Sequence, residues 1–284
     1  MAVTGGAESF EEMEDYGEEN EEWFKTFLDL PGGIPSHDTF NRVLSRLDPE
    51  ELSSVMSLWL TSVSDSLKSQ EIVAIDGKTL RRTFDRASNQ GPLHLITAFA
   101  TETGIVLGQK KTEEKSNEIT AIPELIRQLD LRGCIITIDA MGCQKEIAKE
   151  IRLAEADYVL ALKENHPLMH EEIAGCFRSQ IDQGWPDNDT HTYFKEVSKG
   201  HGRLEIRQVW ATSEIEWFAE KKKWSGLQSI VRVDYEATFS DGKKVEGTRH
   251  FISSLPAEAY LLGKCVRNHW NNEYLLEVLG SSSK

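Results

Sequence analysis

Two aspartates share the same setting. Asp76 follows the apolar run Ile72–Ile75 in "IVAIDGKTLRRT", and Asp139 follows Ile135–Ile138 in "CIITIDAMGCQ". Each acid leaves a run of the kind that forms a buried strand, and a glycine comes shortly after each. If the two strands are neighbours, the carboxylates lie about one strand spacing apart, roughly 5 Å. Acids that close repel unless positive charge sits between them. A divalent cation meets that need. Hard oxygen donors favour Mg2+ or Mn2+, which retain water and accept phosphate oxygens. Two such ions about 4 Å apart activate a water or hydroxyl and stabilise the leaving oxygen of a phosphodiester. Taken singly, an aspartate after a strand is an ordinary turn former; it is the repeated pattern that points to a shared site.

Such a site calls for a third acid. The final predicted helix starts near Ser254-Leu255-Pro256 and runs through "AEAYLLGKCVRNHWNNEYLLEVL" to Gly280, offering Glu258, Glu273 and Glu277. Leu262, Val266 and Trp270 recur every four residues, and Glu273 continues near that stripe. It therefore leans toward the sheet. A carboxylate at the margin of a buried face needs a partner, and a metal is one.

The elements that must position these acids alternate. Ile72–Ile75, "LHLITAFAT" and "GIVLGQKKT" read as strands, the last two joined as a hairpin around Glu102-Thr103-Gly104. "NEITAIPELIRQLD" is a helix with Pro123 near its start, Ile135–Ile138 a strand, "QKEIAKEIRLA" a helix and "DYVLALK" a strand. That order predicts an α/β fold, a mixed sheet with helices on its faces. Residues 175–252 change to short β-rich runs such as "THTYFKEVS" and "RLEIRQVWAT", with Asp241-Gly242 as a hairpin turn. Toward the start, Ser36 or Asp38 can cap a helix bearing Phe40, Val43, Leu44 and Leu47, and "ELSSVMSLWLTSVSDSL" is a second amphipathic helix. The expected units are a disordered leader (1–22), a helical unit (23–69), a core (70–174), a β-rich insertion (175–252) and a final helix (253–284).

The formal charge of −15 argues against a generic nucleic-acid binder. It is unevenly spread, however. Residues 1–50 carry 13 acidic and 3 basic side chains, so the remaining chain is near balance and leaves room for a local basic face. No run of about 18 apolar residues is present and the N-terminus lacks a cleavable signal, so a cytoplasmic protein with no membrane partner is expected. Cys134, Cys143, Cys176 and Cys265 are scattered and read as reduced thiols.

The pieces "GIPSHDTFNRVLSRLDP", "VAIDGKTLRRT", "LHLITAFATETGIVLGQKKTEEKSNEITAIPELI", "TIDAMGCQKEIAKEI" and "DYVLALKENHP" resemble the DDE transposases of bacterial insertion sequences, in the branch that includes the H-repeat-associated proteins. The resemblance covers about residues 32 to 274. It implies an RNase H-like catalytic domain interrupted by a β-rich insertion before the last acid. It also implies metal-dependent DNA cleavage and strand transfer, with two Mg2+ (or Mn2+) ions held by Asp76, Asp139 and, in "HWNNEY", Glu273. Lys78, Arg81, Lys115, Asn117, Lys163 and Asn165 match the family's strand-end motifs, where their charge and place suit phosphate contacts. His201, Arg203 and Arg207 in "HGRLEIR", together with Arg267, His269 and Trp270, are further candidates for DNA contact; a solvated strand face is the alternative for the first three. DNA and a sister subunit in a synaptic dimer are the implied partners.

Some features depart from the family pattern. An acidic leader stands where the family has a helical module, Asn271-Asn272 replaces Gly-Ile, and Tyr274 replaces Asn. The chain is therefore expected to be a copy shortened at both ends. A silent remnant that binds DNA, or a nuclease without strand transfer, are the alternatives. Other motifs carry less. His166 and His170 have zinc-compatible spacing but lack HExxH, Ser36-His37-Asp38 reads as a helix cap, and no phosphate-cradling glycine loop suggests a nucleotide cofactor.

Overall fold

The computed structural model describes residues 2, 7, 9–48, 51, 52, 55, 70–80, 93–112, 118–163, 165–186, 188–200 and 203–269, with 78–80 and 93 described by backbone alone. The chain divides into two compact units, Met1–Trp59 and Leu60–Lys284.

In the first unit the acidic stretch is helical. Helix α1 (Phe10–Glu19) is capped by Ser9, whose Oγ accepts the Glu12 N–H at 3.1 Å, and Glu11 and Glu12 fill the first turn. Acids there complement the helix dipole. α2 (Glu21–Phe24) and α3 (His37–Leu44) follow, with Ser36 at the N-cap position of α3. Within the leader expected to be disordered (1–22), Phe10–Glu19 is helical. Acidic composition suggests solvation, but a cap and favourable dipole positions let this run order as a helix. A Cβ on Gly17 would lie 2.5 Å from Ile34 Cγ2, so α1 meets the following loop at glycine contact distance. The second amphipathic helix expected over "ELSSVMSLWLTSVSDSL" lies mostly outside the described residues.

Glu14 Oε2 accepts the His37 N–H at 2.9 Å and pairs with His37 Nδ1 at 2.6 Å, which lowers the Glu14 pKa and raises that of His37. The two linkages bracket a window. His37 contributes fully below its ordinary value of 6.5 and is lost as pH rises through its raised value. Glu14 contributes above its ordinary 4.5 and is lost as pH falls through its lowered value. The melting temperature of this unit is expected to peak between these values and fall on both sides. Glu14→Gln should flatten the profile in a pH series of thermal melts.

The second unit is a mixed sheet of nine strands among the described residues. In chain order its elements are β1 (Ile72–Leu80), β2 (Leu93–Ala100), β3 (Ile105–Thr112), α4 (Glu118–Gln128), β4 (Ile135–Ile138), α5 (Lys145–Leu153), β5 (Asp157–Leu162), α6 (Pro167–Asp182), β6 (His191–Gly200), β7 (Arg203–Thr212), β8 (Ser229–Phe239) and β9 (Lys244–Ser253). A last helix, α7, covers 259–269 of the described residues. The sheet order is β3-β2-β1-β4-β5-β9-β8-β7-β6. β1, β4 and β5 are parallel, and the remaining pairings are antiparallel. Gly104 (φ +72°) and Gly242 (φ +83°) turn the two expected hairpins, since only glycine takes that backbone without strain.

Strand alternation splits the core by face. Val73, Ile75, Ile136, Ile138, Tyr158 and Leu160 join a cluster with apolar residues of α4, α5 and α6. Ile72, Ile135, Val159 and Phe251 join another with Leu262, Cys265 and Val266 of α7. Three helices thus cover one face and α7 covers the other.

One feature differs from the sequence reading. β1 runs on to Leu80, so Asp76 is inside the strand: pairing with β4 stops at Ile75↔Ile138, while pairing with β2 continues to Leu80↔Leu93. The β-rich insertion joins the core sheet. β9 pairs with β5 up to Leu162↔His250, and β6–β8 extend that same sheet. Short β4 and β5 thereby leave a notch at their carboxyl ends. β1 and β2 project past it on one side. On the other, the strands of the insertion do so, with Lys244–Arg249 of β9 lying beyond the last β5 rung, about 20 Å of strand.

Candidate active site at the sheet notch

Asp76 and Asp139 occupy the positions next after the paired residues Ile75 and Ile138 on adjacent parallel strands. Their alternation places them on the α7 face, in phase with Ile72 and Ile135. The backbone positions that carry the two acids therefore lie about one strand spacing apart at the notch. Asp139 also forms the turn that its type suggests, since Oδ1 accepts the N–H groups of Met141 at 3.1 Å and Gly142 at 3.2 Å. Both bonds go to one oxygen, and Oδ2 has no hydrogen bond among the described residues. The turn and the site are thus compatible uses of one side chain. Carboxylate oxygens are donors of the kind that hard divalent cations take.

The structure adds a carboxylate that sequence reasoning missed. Glu118, at the start of α4, is 7% exposed. A Cβ on Gly77 would lie 2.5 Å from its Cδ and Oε1. Glu118 thus fills the space left by the glycine after Asp76, on the face opposite that acid. The signal was the glycine itself: a strand position without a side chain marks a close approach. Asn165 is also better defined. Its Nδ2 donates to the Ala140 carbonyl at 2.6 Å, bracing the loop after β5 against the turn after Asp139.

α7 is tied to this edge. His269 is 5% exposed and its Nδ1 lies 3.0 Å from Thr137 Oγ1, two residues before Asp139 on the same strand face. Burial pushes its pKa down to about 4, against the pull of Asp139, which leaves a neutral ring at physiological pH. The expectation that His269 contacts DNA is corrected: the ring is spent inside, against β4. Glu258 lies at the other end of α7, about 16 Å of helix from His269, and is excluded as the third acid. Glu273 and Glu277 lie outside the described residues, as do Arg81, Lys115, Asn117, His201 and Trp270. Among the described residues no group of three His, Cys, Asp or Glu side chains is placed to hold a metal. His170 meets His250 (Nε2 to Nδ1, 3.2 Å) while His166 Nε2 lies 2.7 Å from the Cys143 carbonyl, so the zinc-like spacing is used for packing.

The projecting strands bring arginines to the same face as the acids. Arg203 and Arg207 of β7 and Arg249 of β9 are in phase with Val209 and Phe251 of the α7-side core. With Arg267 of α7 they line a cavity of about 260 Å³, which has Tyr235, Phe239 and Val266 in its wall. Glu205 pairs with Arg203 and Arg207, Glu196 with Arg267, and Arg249 lies 5.3 Å over the Tyr235 ring. Burial lowers the Arg207 pKa, and its buried Nη1 has no hydrogen-bond partner among the described residues. Such a guanidinium accommodates an external acceptor. Lys163 directly follows β5 and is exposed, while Lys78 is described by its backbone in β1.

Comparison with known proteins matches these features. Residues 67–273 match the model described as "Transposase DDE domain", and residues 1–60 match "DDE_Tnp_1-associated". The second match shows that the acidic N-terminal region is itself a family module, correcting the expectation that such a module is missing. The chain is 39% identical to "Putative transposase YncI" of Escherichia coli O157:H7 over 97% of this chain and 70% of that one. It is 38% identical to "H repeat-associated putative transposase YhhI" of E. coli K12 over 96% of this chain and 72% of that one. A shorter match, 47% identity over 45 residues, is to "Inactive transposase YbfQ" of the same strain, covering 16% of this chain and 54% of that one. The paired carboxylates at the notch of a mixed α/β, RNase H-like sheet and these matches agree, and the chain belongs to the DDE transposase family.

Proposed function

We propose that this chain cleaves DNA strands at element ends and joins the freed 3′-hydroxyl to target DNA, using Asp76, Asp139 and Glu273. The observation that carries the reading is the placement of Asp76 and Asp139 at successive positions beyond one parallel rung, on one face. The three acids would hold two Mg2+ (or Mn2+) ions, which when bound activate the attacking water or hydroxyl and stabilise the leaving oxygen. The chain's own part is positioning and charge. The Met141 and Gly142 N–H groups fix the Asp139 carboxylate before substrate arrives. The notch admits a scissile phosphate between the projecting strands. Arg203, Arg207 and Arg267, joined by Arg249, lie on the acid-side face to receive the backbone beyond it. Lys78, Arg81, Lys115, Asn117, Lys163, Asn165, His201 and Trp270 complete the expected DNA contacts, and a homodimer would bring two ends together.

The deciding experiment is a strand-transfer assay with paired element ends in Mg2+. Joined products support the transposase reading. Nicked ends without joining indicate a nuclease, and intact DNA bound without cleavage indicates a silent member of the family. The arginine wall has its own test. Arg203→Ala with Arg207→Ala is expected to lower the slope of log affinity against log salt by about two units, one for each phosphate that is no longer neutralised. An unchanged slope places DNA elsewhere.

A further inference from the structure

We propose that His166 is a positioning residue: by donating its Nε2–H to the Cys143 carbonyl it holds the turn that fixes the Asp139 carboxylate. The inference rests on the carboxylate-site reading above and concerns what keeps one of its acids in place.

Asp139 leads from β4 toward α5 through a tight turn. Its own Oδ1 takes the N–H groups of Met141 and Gly142. The carbonyls of the turn are satisfied one by one: Ala140 by Asn165 Nδ2 at 2.6 Å, Met141 by Gln144 Nε2 at 3.3 Å, and Gly142 by the Gln144 N–H at 2.9 Å. The Cys143 carbonyl has no such local donor. Gln144 is the N-cap of α5, and its carbonyl takes the Ala148 N–H, so the carbonyl one residue earlier lies outside the helix ladder. Cys143 is fully buried. A buried carbonyl needs a partner, and His166 Nε2 supplies it at 2.7 Å. Because a carbonyl only accepts, Nε2 must carry the proton.

His166 is itself firmly anchored. It is the N-cap residue of α6, its N–H bonds the Lys163 carbonyl, and Met169, Ile173 and Phe177 of that helix are packed in the core. Its ring lies edge-on to Trp224, with 5.6 Å between centroids, and Trp224 is buried in the connection between β7 and β8. Lys145, the first residue of α5, pairs with Glu220 of the same connection at 2.7 Å. The insertion therefore supports the turn at two points. The turn has little slack, since a Cβ on Gly142 would lie 2.2 Å from Ile138 Cγ2. Loss of the His166 donor leaves the Cys143 carbonyl buried and unpaired, a penalty that favours opening the turn to water. Opening it withdraws the Met141 and Gly142 N–H groups from Asp139.

The test compares two variants in the full chain. His166→Phe keeps a ring against Trp224 without the donor, and His166→Gln keeps an amide N–H near the Nε2 position without the ring. Thermal melts verify that each is folded, and the readouts are amide hydrogen exchange over residues 139–144 and Mn2+ titration by calorimetry. His166→Phe is expected to exchange about tenfold faster over that turn, the equivalent of one lost hydrogen bond. It should also bind Mn2+ about tenfold more weakly, as loss of a group that orients a ligand does. His166→Gln should recover most of both losses. A ring that serves only packing would give the reverse order, with His166→Phe near the wild type and His166→Gln impaired, and that order overturns the proposal. Faster exchange in His166→Phe with unchanged Mn2+ affinity overturns it too. If the wild type binds no Mn2+, the metal reading falls, and the order of the two variants in exchange still decides whether His166 holds the turn.

Discussion

Asp139→Asn is expected to abolish metal-dependent cleavage, by about three orders of magnitude or more, while leaving the fold intact. That loss corresponds to about 4 kcal/mol of transition-state stabilisation. An asparagine keeps an Oδ1 for the Met141 and Gly142 N–H groups, so the turn survives. On the proposed reading it also removes negative charge from a site of hard oxygen donors, and divalent cation affinity should fall with it. Asp139→Ala removes both functions. It should match the asparagine variant in activity but melt lower, because two backbone donors lose their acceptor, at about 1 kcal/mol each. Calorimetric Mn2+ titration, a nicking assay and thermal melts of the two variants separate charge from geometry. Residual cleavage by Asp139→Asn within tenfold of the wild type would remove Asp139 from the site.

Gly77→Ala is the second large effect, and it acts on stability first. The new Cβ would sit 2.5 Å from Cδ and Oε1 of Glu118, a distance that forces movement. Glu118 is buried at the start of α4, whose Ala121, Ile122, Leu125 and Ile126 are packed in the core, so its retreat is confined. Overpacking of this kind costs about 1–3 kcal/mol. The strain falls on the residue next to Asp76, so metal affinity should drop with stability. Gly77→Ala combined with Glu118→Ala is expected to be less destabilised than the sum of the single changes, because the second substitution vacates the space the first invades. Strict additivity in denaturant unfolding would show that Glu118 does not constrain this strand.

Much of the fold, and the family, was legible in the chain. Asp76 and Asp139 were marked by apolar runs that end on acids, and their motifs carried the family. The runs also gave β1, β4 and β5 and the helices between them, because a buried parallel strand needs a continuous apolar stretch. Less legible were residues whose role depends on a distant partner. His269 looked like a DNA contact among other polar residues of "VRNHWNNE", and only the packing of α7 showed that it is buried against Thr137. Glu118 sat beside two expected phosphate ligands, and nothing local showed that it fills the gap over Gly77. The acidic N-terminal run was expected to be disordered from its charge, yet Ser9 and Glu14 give its charges a cap and an ion-pair partner.

By itself the sequence determined which residues are acids, which runs are buried and which chemistry they suit, since those follow from side-chain type and local periodicity. The tertiary structure decided the pairing of two strands whose acids are 63 residues apart. It decided the face on which each acid emerges, and the continuation of the insertion into the same sheet. These are register choices. A shift of one residue in a strand sends every side chain to the other face, and the long-range contacts that forbid the shift are absent from any local stretch of sequence.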